Sequence, residues 1–308
     1  MILILAMLLD AALGEPAWLW SRLTHPAVVM GRLITALDRR LNQGRGRRAK
    51  GLAMTLGLAL AAGLTGWLIH ALPDHGIVET VFTAILLAQR SLSDHVLAVA
   101  RGLRRSLDEG KAAVAMIVGR DIAPMREPDV ARAAIESAAE NMSDGVIAPA
   151  FWYLVGGLPG LMIYKMANTA DSVVGHMTPR HQEFGWASAR WDDVLNLIPA
   201  RLTALLMAIT HGWLDPRPVL RDAPKHRSPN AGWPESVLGP VLNVSLAGPR
   251  SYNGVMTDYP WVWPEGRRDP GPADIEAAAR ALWRCWAGML ALTVVLTLIW
   301  PGCVPFFF

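Results

Sequence analysis

Cysteine is nearly absent. Cys285 and Cys303 are the only two in 308 residues, which excludes a disulfide framework and a thiolate zinc site. Charge is scarce as well: 18% of residues are charged against 52% hydrophobic, an apolar excess for a soluble chain of this size. A net charge of +3 is too mild to imply nucleic acid, so no nucleic-acid partner is expected. There is no Gly-x-x-x-x-Gly-Lys-Ser/Thr loop, because the glycines at 156, 157 and 160 lack the lysine and hydroxyl ending, and no His-Glu-x-x-His pair. Any use of ATP therefore needs another phosphate-binding arrangement. The opening run Met1 to Leu9 lacks a basic n-region and leads into Asp10 and Gly14-Glu15-Pro16, so it reads as a retained, short first membrane segment.

What the chain does have is a succession of apolar stretches separated by basic loops. Gly51 to Leu72 is the clearest candidate crossing, and Pro73-Asp74-His75-Gly76 turns it into a second apolar helix over 77–99. Val146 to Met166 is equally apolar but is interrupted by Pro149, Gly156-Gly157 and Pro159-Gly160, which predicts a broken crossing or a re-entrant segment. Val194 to Trp213 and Ala277 to Ile299 complete the set, giving five or six membrane-entering segments. Arg39 to Lys50 carries six positive charges, and 101–132 is rich in arginine with Pro124 and Pro128 interrupting it; both are expected on the cytoplasmic side, with much of 215–284. The fold class is therefore all-α, a polytopic integral membrane protein with broken or re-entrant helices and a substantial cytoplasmic loop region. Its expected divisions are a membrane core with an embedded polar site at 1–214, the loop region at 215–284 and a terminal membrane segment at 285–308.

Polar groups are costly inside apolar stretches unless they face protein, water or ligand, so their clusters are the candidate sites. Glu136, Glu140 and Asp144 recur at intervals of four and would share a slowly drifting helical face, where carboxylates suit magnesium bound mainly through phosphate. They would equally serve as helix caps or as partners of Arg132. Asn168, Asp171 and Ser172 stand at i, i+3 and i+4, with Lys165 one turn earlier. That spacing suits one ligand held from adjacent turns, or a local cap. Asp192, Asp193 and Asn196 lie between Arg190 and Arg201, a pattern suited to a polyanion or to an internal ion-pair network.

Taken in order, several motifs resemble one family. They are His25-Pro26, Gly31-Arg32, Glu140-Asn-Met-Ser-Asp-Gly145, Asn168-Thr-Ala-Asp-Ser172, Phe184-Gly-Trp-Ala-Ser-Ala-Arg-Trp-Asp-Asp193, Arg221-Asp-Ala-Pro-Lys-His-Arg-Ser-Pro-Asn-Ala-Gly232 and Gly248-Pro-Arg-Ser-Tyr-Asn-Gly254. The combination resembles the adenosylcobinamide-phosphate synthase family of corrinoid biosynthesis, the CobD/CbiB family, over nearly the whole chain.

The resemblance implies a multi-pass enzyme of the bacterial inner or cell membrane, in contact with lipid and with other corrinoid-pathway enzymes. It would use ATP and Mg2+ to join (R)-1-amino-2-propanol O-2-phosphate to adenosylcobyric acid, a cobalt-containing corrinoid, through an acyl phosphate. Magnesium is expected near Glu136, Glu140, Asp144 and Asp171. Catalytic roles fall to Glu140, Asp144, Asp171, Asp192 and Asp193, and phosphate or corrinoid contacts to Lys165, Asn168, Arg190, Arg201, Lys225, His226 and Arg250. The corrinoid and the nucleotide are expected to meet at a polar mouth formed by 136–193 and 215–254. The competing class is a membrane corrinoid-binding or transport protein, which needs no turnover.

Overall fold

A computed structural model of the chain describes residues 1–299 apart from 177 and 253. The end of the expected terminal segment, with Cys303, and Asn253 of the glycine-rich motif lie outside the described residues. In chain order the helices are α1 (Ile2–Leu13), α2 (Ala17–Trp20), α3 (Pro26–Leu41), α4 (Arg47–His70), α5 (Ile77–Leu86), α6 (Gln89–Arg105) and α7 (Leu107–Val114). They continue with α8 (Glu127–Met142), a π turn (Ser143–Ile147), α9 (Ala148–Val174), α10 (Trp186–Thr210), α11 (Arg217–Asp222), α12 (Gly232–Leu242) and α13 (Pro272–Ile299). Four short strands, β1 (Leu246–Ala247), β2 (Arg250–Tyr252), β3 (Val255–Thr257) and β4 (Trp261–Val262), form two antiparallel pairs, β1 with β4 and β2 with β3.

The protein is a helical membrane protein. Four described helical stretches are long and apolar enough to cross a bilayer: Arg47–His70, Glu127–Val174, Trp186–Thr210 and Pro272–Ile299. Along α4 the side chains of Leu52, Leu56, Leu60, Leu64 and Leu68 are exposed, the outward apolar stripe that a lipid-facing helix needs. The opening segment is shorter than a crossing, since α1 has 12 residues. The apolar stretch at 77–99 is two helices, because the chain becomes extended at Leu87 before α6 begins. No single long helix runs through 101–132, as its prolines imply: Pro128 occupies the first turn of a new helix, α8, where a missing N–H costs nothing, and Asp129 accepts from the Arg126 backbone N–H at 3.0 Å. The expected cytoplasmic loop region is more regular than a loop, holding α11, α12, all four strands and the start of α13.

The chain forms two compact units. Unit 1 comprises Met1–Ala88, Ala148–Asn196 and the chain from Leu292; unit 2 comprises Gln89–Ile147 and Leu197–Ala291. In unit 1, α3 and α4 pack along α9 and α1 packs on α5. The break predicted in Val146 to Met166 is a kink inside α9, where Gly156 (φ −134°, ψ 20°) and Gly157 (φ 60°, ψ −156°) leave helical geometry. Positive φ at Gly157 is the reason glycine stands there. In unit 2, α8 is the central helix, packed against α6, α7, α12 and β1. Its alanines let neighbours approach closely, and Val130, Ala131, Ala133, Ala134, Ile135, Ala138 and Ala139 are all fully buried.

The turn between α9 and α10 depends on a second glycine. A Cβ on Gly185 would overlap the Val174 carbonyl oxygen, a backbone atom that cannot swing aside. Gly185→Ala is therefore expected to destabilise unit 1 by about 3 kcal/mol, at the upper end of ordinary overpacking. Thermal unfolding in detergent checks this against Gly57→Ala, whose Cβ would meet no atom within 4 Å. Equal unfolding temperatures for the two variants would refute the close approach.

Candidate functional site

Each unit holds a polar cluster. In unit 1 it lies on the second half of α9 and the first turns of α10. Asp192 is 8% exposed, and both its oxygens are engaged: Asn168 Nδ2 donates to Oδ1 at 3.3 Å and Asn196 Nδ2 to Oδ2 at 3.1 Å. Tyr164, fully buried, donates its hydroxyl to Asn196 Oδ1 at 3.0 Å. Asp171 and Asp193 are within electrostatic range of Asp192, and Arg190 Nη1 reaches Asp193 Oδ2 at 3.2 Å. Three carboxylates on two helices thus concentrate negative charge around one buried group, a costly arrangement that the two amides offset at Asp192 and Arg190 offsets at Asp193.

The other polar side chains of this stretch have definite partners. Asn168 is inside α9 and caps nothing; its amide crosses to Asp192. Thr169 and Ser172 donate their hydroxyls to the carbonyls of Lys165 and Asn168, at 2.7 and 2.9 Å. Lys165 is within electrostatic range of His25, and Gly31 faces Thr169, so two early motifs stand beside α9. His25 caps α3 by accepting from Ala27 N–H at 3.2 Å, and its ring lies edge-on to Trp20 with centroids 4.5 Å apart. Burial holds its imidazole below the ordinary histidine range, against the opposing pull of Glu15.

In unit 2 the centre is Glu136, buried in α8. Oε1 accepts from the Ala247 backbone N–H at 2.6 Å, and Oε2 lies 2.7 Å from Arg120 Nη2 and 3.5 Å from Arg250 Nη1. Glu136 and Arg250, from the two stretches expected to form the polar mouth, do meet. Nearby Glu235 on α12 is 2% exposed, one of its oxygens has no partner, and His226 Nε2 stands 3.8 Å from the other. Burial first, then Glu136, pushes the Glu235 carboxyl well above the usual range. Burial and Arg250 push His226 down. Glu140, four residues after Glu136 in α8, is exposed near the end of that helix, and Asp144 sits in the π turn, so only the last step of the expected interval-of-four face leaves regular α-helix.

The remaining expected contacts are more local. Lys225 and Arg221 both lie 2.8 Å from buried Asp222, which also accepts from Trp263 N–H at 2.9 Å. Burial opposes ionisation of Asp222, but these donors win and hold its carboxyl down at about 2. His226 accepts from Ser228 N–H at 3.0 Å, closing a turn. Arg201 bonds the Leu197 carbonyl at 2.7 Å and lies over Trp233 at 4.5 Å. Among the described residues no group of three or more His, Cys, Asp or Glu side chains could hold a metal by itself. The carboxylates fit Mg2+ only in the mode that cation prefers with phosphorylated substrates, through one or two protein oxygens with phosphate and water completing the shell.

The CobD/Cbib protein family model matches residues 3–282. The chain belongs to this family. The "Cobalamin biosynthesis protein CobD" of Rhizobium meliloti (strain 1021) is 49% identical over 296 residues, covering 90% of each chain. Those of Sinorhizobium fredii (strain NBRC 101917 / NGR234) and Rhodobacter capsulatus are 45% and 43% identical, each over 97% of both chains. No solved structure matches the chain. Family membership gives the protein a role in cobalamin biosynthesis; the motifs that carry the resemblance supply Asn168, Asp171, Asp192 and Asp193 to the unit 1 cluster and His226 and Arg250 to the unit 2 cluster, but not Glu136. Tyr164, Arg120 and Glu235 escape a reading of local spacing, and Arg132, weighed as a partner of Glu136, Glu140 and Asp144, pairs with Asp129. Arg120 and Arg132 stand in the basic stretch that signals topology, and Tyr164 and Glu235 fall outside the polar clusters that spacing picks out.

Proposed function

We propose that the protein catalyses ATP-dependent amide-bond formation, joining (R)-1-amino-2-propanol O-2-phosphate to adenosylcobyric acid to give adenosylcobinamide phosphate, ADP and phosphate. Near-full-length similarity to the cobalamin biosynthesis relatives carries this assignment, and the acid-and-amide cluster in unit 1 supports it. An ionised carboxylate is a poor electrophile and must be activated. Its oxygen attacks the γ-phosphorus, ADP leaves, and an acyl phosphate forms; the amine nitrogen then attacks the acyl carbon, loses a proton and expels phosphate. Asp192, held in place by Asn168 and Asn196, is the proposed base, with Asp193 able to relay the proton toward solvent. Mg2+ would neutralise phosphate charge, with Asp171 in unit 1 or Glu140 and Asp144 in unit 2 supplying its protein oxygens. Arg190, Arg201, Lys225, His226 and Arg250 are the proposed contacts to phosphate and to the amides of the corrinoid.

Purified protein in detergent, given adenosylcobyric acid, the aminopropanol phosphate, ATP and Mg2+, is expected to form product with one ADP released per amide bond. Saturable corrinoid binding without product or ADP, under conditions where a related enzyme turns over, would instead establish a binding or transport protein.

A further inference from the structure

A cavity of about 400 Å³ opens in unit 2 beside the start of α8, a volume suited to a small ligand. Arg120, Arg126, Arg132, Arg250 and Arg268 line it together with Trp261. The acidic groups in its wall are Asp121 and Asp129, the latter paired with Arg126 and Arg132, so that with Glu136 three carboxylates stand against five guanidiniums. Asp121 accepts from Ser251 Oγ at 2.6 Å and Gly254 N–H at 2.7 Å, and Asp129 accepts from Arg126 N–H and Arg132 Nη1 at the helix start.

The arginines are placed rather than scattered. Arg120 and Arg250 are 7% and 13% exposed and share Glu136, leaving two guanidiniums against one carboxylate. Arg250 Nε is buried with no partner, a donor that native structures rarely leave unmatched. The guanidinium carbons of Arg132 and Arg268 lie 5.0 and 4.5 Å from the centre of the Trp261 ring, which holds their planes in place. Arg132 is further fixed by the Ser245 and Arg268 carbonyls, at 3.2 and 2.5 Å. Fixed, planar guanidiniums in excess over acid, around a small hollow, match the bidentate geometry of phosphate oxygens.

We propose that this cavity binds a phosphate-bearing substrate through these five arginines. The identity of that substrate, ATP or the aminopropanol phosphate, rests on the reaction proposed above; the phosphate chemistry does not. The full-length protein in detergent is titrated calorimetrically with ATP, with (R)-1-amino-2-propanol O-2-phosphate and with inorganic tripolyphosphate. The wild type is expected to bind tripolyphosphate and at least one of the two substrates, and whichever binds identifies the source of the phosphate. Arg126→Ala combined with Arg268→Ala removes two exposed side chains and is expected to weaken that binding at least tenfold. Arg105→Ala, an exposed arginine paired with Glu109, removes charge elsewhere and should leave it unchanged. Failure of the wild type to bind any of the three, or equal affinities in the double variant, overturns the site. Product formation with unaltered KM values in the double variant also defeats the cavity but keeps the reaction. Arginine-dependent tripolyphosphate binding without any product keeps the cavity and defeats the reaction.

Discussion

Replacing Asp192 with asparagine is expected to lower kcat by about 10²- to 10³-fold, within the range for loss of a positioned base, while leaving the unfolding temperature unchanged or raised. The substitution preserves shape and keeps an oxygen for one of the two amide donors, which bond separate oxygens at 3.3 and 3.1 Å; the bond lost at the other is offset by removing a charge from a position that is 8% exposed and within electrostatic range of two other carboxylates. A group whose removal relieves the fold and cripples the reaction is kept for chemistry. Asp193→Asn is the comparison, because Asp193 pairs with Arg190, a side chain 67% exposed, and an exposed pair contributes little to structure. Turnover and detergent unfolding measured on the same preparations decide the matter; wild-type turnover in Asp192→Asn removes Asp192 from the mechanism.

The largest stability effect is expected at Glu136. Truncation to alanine strips the partner from Arg120 and Arg250 and the acceptor from Ala247 N–H, leaving cations buried without compensation. Breaking a buried pair in this way costs about 3–5 kcal/mol. Glu136→Gln keeps an oxygen for the backbone N–H and should lose roughly half as much, since only the charge-assisted part is removed. Should thermal unfolding in detergent find the alanine variant as stable as the wild type, the three-residue pairing is not what holds α8 to the β1–β2 segment. Its role in anchoring arginines also links this residue to the phosphate cavity, so the glutamine variant is the one to carry into binding measurements.

Much of the architecture is legible in residue order because membrane helices announce themselves by length and apolarity. Gly51 to Leu72 matches α4 to within a few residues, the paired glycines at 156 and 157 mark the kink in α9, and the motif series leads to the family. The Asp192–Asn196 bond is legible too, since a helix brings i and i+4 together wherever it forms. By contrast, Asn168 with Asp192 spans 24 residues, Arg120 with Glu136 spans 16 and crosses from a loop to a helix, and Glu136 with Arg250 joins a helix to a strand. Periodicity says which side chains share a face, but it is silent on which other face will be opposite. That is decided by chain reversals such as the one at Gly185, where the backbone comes so close that only glycine fits. Residue order alone determined the membrane-helical class and the groups available for chemistry. The tertiary structure decided which carboxylates are tied to arginine and which are held by amides, because that partition depends on packing between segments distant in the chain.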